Sequence, residues 1–208
     1  MTAEILAVAR EQVGKAGAAA LSLRSVARDL EMAPSALYRY FNGRDALLSA
    51  LILTAYQSLA DAAERAADTA ARAGGRDVER FLAVPHALRQ WALRHSHEWG
   101  LIFGTPVPGY EAPGDTNELY ARVAAAMVRP VVEASAAGRL RPGSSGSSGD
   151  DERVVSEALR AAVAPVSDEL FPEVPVVTVV LAVEAWTTLV GIISLEVFGH
   201  WRNTILDP

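Results

Sequence analysis

One short stretch of the chain places an arginine between two tyrosines. The segment from Pro34 to Phe41 reads PSALYRYF, and Leu37 and Phe41 stand four residues apart. On a helix those two residues share a face and would pack inward. The residues that then face outward are Ser35, Ala36, Arg39 and Tyr40. Serine and arginine can meet base edges or phosphates, alanine can touch a thymine methyl group, and tyrosine hydroxyls can donate to phosphate oxygens.

A purely structural interpretation of these aromatic residues is that they fill the core of a small three-helix unit. We expect that role for Phe41. Tyr38 and Tyr40 are expected at the surface, because neighbouring aromatic and arginine residues on so short a helix cannot all be buried. Arg28 and Lys15 are interpreted as ordinary solvated charges.

The charge of the chain is unevenly distributed. The net charge of -6 is unfavourable for a nucleic-acid binder as a whole. However, residues 1–50 carry six basic and five acidic groups, whereas the rest carries 13 basic and 20 acidic groups. This asymmetry permits DNA binding at the N-terminal end without proving it.

Three short helices are predicted to position these residues. The first spans 2–15, the second begins after Ser22 as its N-cap, and the third spans 34–41 with Pro34 in its first turn. The second has apolar residues at the spacing of one helix face, namely Leu23, Val26, Ala27 and Leu30. Two short helices separated by about three residues predict a helix-turn-helix, whose second helix enters the major groove.

The rest of the chain shows further helical patterns and no convincing strand. The predicted helices span 44–72, 78–97, 99–103, 115–137, 151–164 and 176–198. A proline- and glycine-rich segment at 104–115 is predicted to be a loop, and the glycine- and serine-rich segment 138–150 a mobile surface linker. The predicted fold class is all-α, with a three-helix helix-turn-helix domain at 1–46 followed by a helical bundle at 47–208.

The run LSLRSVARDLEMAPSALYRYFNGRDALLSALI resembles the N-terminal domain of the TetR family of transcriptional regulators. The family hallmark is a helix-turn-helix that ends in L-Y-x-x-F, followed by a short turn and a basic residue that opens the fourth helix. The resemblance implies phosphate anchors at Tyr38 and Arg44. It completes a set of DNA-contact candidates: Arg24, Pro34, Ser35, Ala36, Tyr38, Arg39, Tyr40 and Arg44.

Two positions depart from the family pattern. Glu31 stands where the family usually has glycine, so a left-handed turn there would cost free energy, and its charge lies near the DNA-facing side. Ala33 replaces the usual polar N-cap of the recognition helix. Neither departure abolishes the helix-turn-helix motif. They would weaken its affinity for DNA or the start of the recognition helix.

Two later runs resemble the C-terminal domains of actinobacterial TetR regulators. They are LRQWALRHSHEWGLIFGTPVPGYEAPGDT and AWTTLVGIISLEVFGHW. In the domain type that the second run resembles, a histidine often precedes the glycine of the last helix, but here Val190 precedes Gly191. The resemblance implies a domain that binds a small-molecule effector and forms a homodimer through the helices at 151–164 and 176–198.

Aromatic and polar residues of the larger domain could enclose an apolar cavity. The candidates are Trp91, His95, Phe103, Tyr110, Tyr120, Met127, Glu184 and Trp186. The alternative is that each of them simply fills a core. Glu184 stands out because a carboxylate in so apolar a helix must find a partner, water, the second subunit or a ligand.

Other classes of site are not supported by the sequence. The chain has no cysteine, which excludes disulfides and thiolate metal sites. His95 and His97 are two residues apart and would point apart on a helix, so we predict no metal site. No catalytic residue set stands out, and we expect neither a cofactor nor an enzyme.

The apolar run 174–190 could also be interpreted as a membrane span. Prolines near its start, together with Glu184 and Glu196, make insertion costly, so we expect an intersubunit helix and no membrane partner. The first residues lack the features of a signal peptide, which predicts a cytoplasmic location.

The sequence therefore predicts a DNA-binding regulator. We expect a repressor that binds a palindromic double-stranded operator and is released by a small-molecule ligand. Two alternatives stay open at this point, a ligand-responsive activator and a helical scaffold protein with a degenerate helix-turn-helix. Neither the effector nor the operator sequence can be predicted.

Overall fold

The computed structural model describes residues 1–111, 114–139, 157–170 and 176–201. Within these ranges the regular structure is entirely helical, which confirms the predicted all-α class. The helices are α1 Thr2–Ala16, α2 Leu23–Asp29, α3 Pro34–Leu37, α4 Arg44–Ala73, α5 Asp77–Arg94, α6 Ser96–Phe103, α7 Asp115–Ala136, α8 Glu157–Leu170 and α9 Val176–Val197, with a short 3-10 helix at Ala18–Ala20.

The first core belongs to α1, α2, α3 and the beginning of α4. We call these elements, with the 3-10 helix, the head (residues 1–52). In α1 the buried residues follow one another every four positions, so that a single face of the helix is covered. The buried set of the head is Ile5, Ala9, Val13, Leu21, Leu23, Val26, Ala27, Leu37, Phe41, Leu47, Leu48, Leu51 and Ile52.

The second core belongs to the remainder of α4 and to α5, α6, α7 and α9, which with α8 we call the body (residues 53–201). Helix α4 has 30 residues, a length of about 45 Å at 1.5 Å per residue, and contributes to both cores. The buried set of the body is Leu59, Ala60, Ala63, Ala67, Val84, Leu88, Trp91, Ala92, Trp99, Val123, Ala126, Met127 and Ile193.

Ion pairs join the helices of the body across their exposed edges. Arg122 of α7 bonds to both Asp61 and Glu64 of α4, at 2.9 and 2.6 Å. Arg89 of α5 bonds to Glu196 of α9, with Nε 2.7 Å from Oε2. These contacts bind α7 and α9 to the α4–α5 pair.

Three helix ends differ from the sequence-based predictions. The predicted helix 34–41 ends at Leu37, because the next amides turn back through i→i+3 bonds such as Tyr40 N to Leu37 O. The predicted helix 78–97 breaks at His95, whose φ of -125° and ψ of 47° are not helical, so α6 starts at residue 96 rather than 99. The predicted end at 164 is also wrong, since α8 continues through Pro165 to Leu170.

Two predicted segments lie largely outside the described residues. They are the linker 138–150, apart from its first two positions, and residues 151–156 of the predicted helix 151–164.

By length and composition alone, Arg44–Ala73 and Val179–Val197 would each be long and apolar enough to cross a membrane. The first contains α4, whose apolar residues serve two cores. In the second only 17% of the apolar window is buried, so most of its apolar surface has no partner within the described part of this single chain.

Candidate nucleic-acid interface

The turn between α2 and α3 closes through the backbone. The amide of Glu31 donates to Arg28 O at 3.0 Å, and the amide of Met32 donates to Ala27 O at 2.8 Å. This closure requires a positive φ, and Glu31 has a φ of 53°. A residue with a side chain adopts that conformation at a cost of about 1 kcal/mol, whereas glycine adopts it freely.

Helix α3 begins without a side-chain cap. Pro34 occupies its first turn, where the missing amide hydrogen does no harm. The preceding residue, Ala33, offers no side-chain hydrogen bond to the first amides of the helix. The helix start therefore depends on the proline and on the backbone turn before it.

The predicted division of α3 and its flank into buried and exposed residues is confirmed. Leu37 and Phe41 are buried, whereas Tyr38 and Tyr40 are 54% and 46% exposed. Pro34, Ser35 and Arg39 are also exposed, and Ala36 is half-buried. The structure thus brings most of the DNA-contact candidates together on one end of the head.

Two basic side chains of the head have no partner in the part of the chain that the structure describes. Arg24, in the first turn of α2, and Arg39 are exposed, and their guanidinium groups form no ion pair or hydrogen bond with any described residue. By contrast, Lys15 bonds to Glu11 at 2.5 Å, and Arg28 bonds to Ser25 at 2.9 Å. Arg24 and Arg39 are therefore free to pair with an external anion.

Arg44 has a structural role that the sequence did not reveal. Its Nη2 donates to Ala18 O at 3.1 Å and lies 3.4 Å from Ala19 O, while Nη1 contacts Asp45 at 3.2 Å. The guanidinium thus ties the start of α4 to the 3-10 helix. A phosphate bound by Arg44 would have to share the Nη1 and Nη2 donors with these oxygen atoms. The phosphate contact of Arg44 stays a prediction.

Most of the ligand-pocket candidates in the body contact other protein groups. Trp91 is buried, donates from Nε1 to Ser58 Oγ at 3.0 Å, and packs on His95 with ring centroids 5.0 Å apart. Met127 lies in the same core. Phe103 packs on Trp99 at 4.4 Å between ring centroids.

Tyr120 and Trp186 extend this aromatic cluster toward the surface. Their rings meet edge to face at 5.6 Å, and Trp186 lies 6.1 Å from Phe103. Burial raises the pKa of the Tyr120 phenol, which therefore stays neutral at ordinary pH. The cluster accounts for these side chains as mutually packed groups.

Two other pocket candidates lie apart from this cluster. Tyr110 packs against the head, and its hydroxyl is 3.0 Å from Ser49 Oγ of α4. Glu184 is exposed on α9. The structure therefore does not assemble the eight candidates into one site.

The residues at the α5–α6 break connect body and head. His95 Nδ1 lies 3.6 Å from Glu98 Oε1, which also contacts Arg10 Nε of α1 at 3.2 Å. Among the described residues, no group of three or more histidine, aspartate or glutamate side chains could hold a metal ion. The contact is an ion pair between α1 and α6.

A cavity between head and body was not predicted. It has a volume of about 570 Å³ and has none of the eight pocket candidates in its wall. The glycines at 14, 17 and 100 that help to form it are visible in the sequence. Only the packing of α6 against α1 brings them together.

Comparison with known proteins identifies the family. Residues 5–51 match the family model described as bacterial regulatory proteins of the tetR family. Residues 81–208 match the tetracyclin repressor-like C-terminal domain. The chain is also 39% identical over 211 residues to the HTH-type transcriptional regulator Rv1816 of Mycobacterium tuberculosis, in an alignment that covers 99% of this chain and 85% of that protein.

Solved structures agree with this assignment. The regulatory protein SCO4313 is 37% identical, with a TM-score of 0.74 over 99% of this chain and 88% of its own. The TetR family regulator PfmR from Thermus thermophilus shares the fold at 18% identity, with a TM-score of 0.53 over 89% of this chain and 96% of its own. The chain therefore belongs to the TetR family and is a DNA-binding transcriptional regulator.

Proposed function

We propose that the chain is a repressor that binds a near-palindromic operator as a homodimer and leaves it when a small molecule binds. The observation that carries the proposal is the exposed surface of the head at Arg24, Tyr38, Arg39 and Tyr40, whose arginine side chains have no partner among the residues that the structure describes. Such a surface on a helix-turn-helix is suited to duplex DNA.

Each residue of this surface has a role that its chemistry supports. Arg39, two residues after the end of the short helix α3, would read a guanine edge or contact a phosphate. Tyr38 and Tyr40 would donate their hydroxyls to phosphate oxygens, and Arg24 would hold the backbone from α2. Ser35 and Ala36 would lie against base edges, and Pro34 would fix the start of the helix.

The apolar face of α9 supports the dimer. Leu181, Ala185, Thr188, Ile192 and Leu195 are all exposed and follow one another at alternating spacings of four and three residues, which is the pattern of a helix–helix seam. A Cβ added at Gly191 would meet no atom within 4 Å, so a second helix can approach closely. We propose that α9, with α8 packed beside it, meets the same helices of a second copy.

The dimer can be tested by placing a charge on this seam. Ile192→Glu should convert the dimer to a monomer in sedimentation velocity, because the carboxylate would be buried without a partner. Leu82→Glu, at an equally exposed position on α5, is the matched control and should remain dimeric. If both variants keep the mass of the unmodified protein, α9 does not form the interface.

A small molecule would act through α4. This helix contributes to the cores of both head and body, so a change in the body that tilts α4 would alter the separation of the two heads, which must be about 34 Å to fit successive major grooves. The ligand must bind one arrangement better than the other to do so. We also propose a location in the cytoplasm and no enzymatic role.

The operator itself is tested with the DNA upstream of the protein's own gene. Fluorescence anisotropy at fixed salt should show tight binding to one segment of this DNA and much weaker binding to scrambled DNA of the same length. Transcription in vitro from that promoter should fall when the protein is added, whereas a rise would indicate an activator. A folded dimer that binds all sequences equally would refute the operator, and one that binds no DNA would favour an interaction protein.

A further inference from the structure

The joint between head and body contains a cavity of about 570 Å³. The head contributes Val13 and Gly14 from the end of α1 and Ala19 from the 3-10 helix. The body contributes His97 and Leu101 from α6 and Val107 from the following loop. The volume is in the range of small-molecule sites, which is about 300–1,000 Å³.

The cavity exists because residues at its walls are small. A Cβ at Gly14 would come within 2.9 Å of His97 Cδ2, so the imidazole lies directly on the bare backbone of α1. A Cβ at Gly100 would meet only the ring edge of Phe198, at the ordinary distance of 3.7 Å. A larger side chain at position 100 can therefore be accommodated by filling the cavity.

The chemistry of the walls defines what the cavity can hold. Valine, leucine, proline and phenylalanine side chains predominate, and Ser96, His97 and Thr105 supply the polar groups. The imidazole of His97 forms no hydrogen bond with any residue in the described part of the chain. The nearby charges of Arg10 and Glu98 neutralise each other at 3.2 Å, so nothing in the walls favours an ionic ligand.

We propose that this cavity binds a neutral, mainly apolar small molecule that accepts a hydrogen bond from the imidazole of His97. The site is separate from the aromatic cluster of the body, because it shares none of the residues Trp91, Phe103, Tyr120 and Trp186. Its walls belong to both head and body. An occupant in contact with both would therefore favour the arrangement of the two that fits it best.

A consequence for DNA binding follows from this position. Apart from the continuous helix α4, head and body are joined by the Arg10–Glu98 ion pair, by the Ser49–Tyr110 hydrogen bond and by packing of Leu101, Val107 and Tyr110 on the head core. A molecule bound beside these contacts changes the operator affinity, and operator DNA changes the ligand affinity by the same factor. This consequence rests on the proposed function, whereas binding to the cavity does not.

Binding is tested with prodan, a neutral naphthalene ketone whose fluorescence shifts to the blue in apolar surroundings. Prodan is titrated into the full chain in the absence of DNA. Gly100→Leu fills the cavity from the body and Ala19→Leu from the head, and each should raise the dissociation constant at least tenfold. Ala71→Leu, on the exposed end of α4, is the matched control and should bind as the unmodified protein does.

His97→Phe tests the hydrogen bond separately. The aromatic ring is kept, although phenyl is somewhat larger than imidazole, and the donor is lost. We therefore expect the dissociation constant to rise by up to about tenfold, as for one uncharged hydrogen bond, with a further blue shift of bound prodan. Circular dichroism identifies any variant that does not fold. If one of Gly100→Leu and Ala19→Leu does not fold, the other one, on the opposite wall, tests whether prodan binds in the cavity.

The outcomes separate this proposal from the proposed function. If the unmodified protein does not bind prodan, or if prodan binds equally well to the folded cavity-filled variants, the site is refuted. Operator binding measured without prodan reports on the proposed function alone, so a failure of either leaves the other intact.

Discussion

Head and body use similar residue types in opposite ways. In the head, Tyr38, Arg39 and Tyr40 face outward, while the neighbouring Leu37 and Phe41 are buried. In the body, two buried tryptophans donate to internal hydroxyl groups, Trp91 to Ser58 and Trp99 to Ser194, both at 3.0 Å. A small domain cannot bury many polar aromatic residues, so those it exposes are available to a partner outside the chain.

The comparison shows what an aromatic residue in a sequence can indicate. In a helix of the head only a few positions face inward, and the spacing of Leu37 and Phe41 assigns them. In the body many positions face inward, and the same residue types satisfy both a filled core and a ligand pocket. The spacing of residues therefore distinguishes a binding role from a packing role in the head, but it does not do so in the body.

The largest effect is expected at Trp99, which packs on Phe103 in the aromatic cluster. Its side chain is fully buried, so Trp99→Ala should lower the free energy of unfolding by about 3–5 kcal/mol, measured by urea denaturation. Tyr38→Ala in the head should change it by less than about 0.5 kcal/mol. A small loss for Trp99→Ala would mean that the body is loosely packed and would remove the contrast between the two regions.

Arg39→Ala should weaken DNA binding and leave the stability of the protein unchanged. We expect operator binding to weaken by about 1–3 kcal/mol. If the contact is to phosphate, the slope of the logarithm of the binding constant against the logarithm of the salt concentration should decrease by about one in magnitude. Stability should be unchanged, because the structure gives Arg39 no partner among the described residues. Arg28→Ala removes the same charge from a side chain that already bonds to Ser25, and it should affect DNA binding much less.

The fold was predictable where periodicity and helix-end signals agree. Helices α1, α4 and α9 have the predicted positions within one or two residues, because each has a long apolar pattern and α1 and α4 end near glycine. The misplaced ends have other causes. The turn after α3 closes through local i→i+3 bonds that the apolar spacing does not reveal, and the apolar pattern continues across the break at His95. Pro165 did not end α8 because a helix can continue past a proline at the cost of one hydrogen bond.

The candidate site was predictable only in its local part. The exposed positions of α3 and of the turn after it follow from the spacing of Leu37 and Phe41. The bonds of Arg44 to the carbonyls of residues 18 and 19, and the cavity between α1 and α6, join positions far apart in sequence. Local spacing carries no information on such contacts.

Glu31 allows strain and charge in the head to be separated. Glu31→Gly should stabilise the protein by up to about 1 kcal/mol, because glycine adopts the positive φ freely, although its more flexible unfolded state offsets part of the gain. Glu31→Ala keeps the strain and should bring no such gain. Both variants remove a negative charge near the DNA-facing surface and should tighten operator binding at low salt. Equal melting temperatures for the two variants would show that the turn is not strained.

The smallest effect concerns the paired charges of the body. Hydrogen bonds from Arg122 hold the pKa of both Asp61 and Glu64 below their usual values. Carboxylates with a lowered folded-state pKa stabilise the protein above the ordinary pKa of about 4, and this contribution is lost as the pH falls through the folded-state pKa.

Arg122→Gln should therefore cost about 0.5–1 kcal/mol at pH 7, since these groups are partly exposed, and less at pH 3, where the carboxylates are protonated in either protein. Urea denaturation at both pH values measures the difference. Arg24→Gln, which removes a head arginine without a described carboxylate partner, should leave the pH dependence unchanged. If the two variants behave alike, pairing of charges does not distinguish body from head.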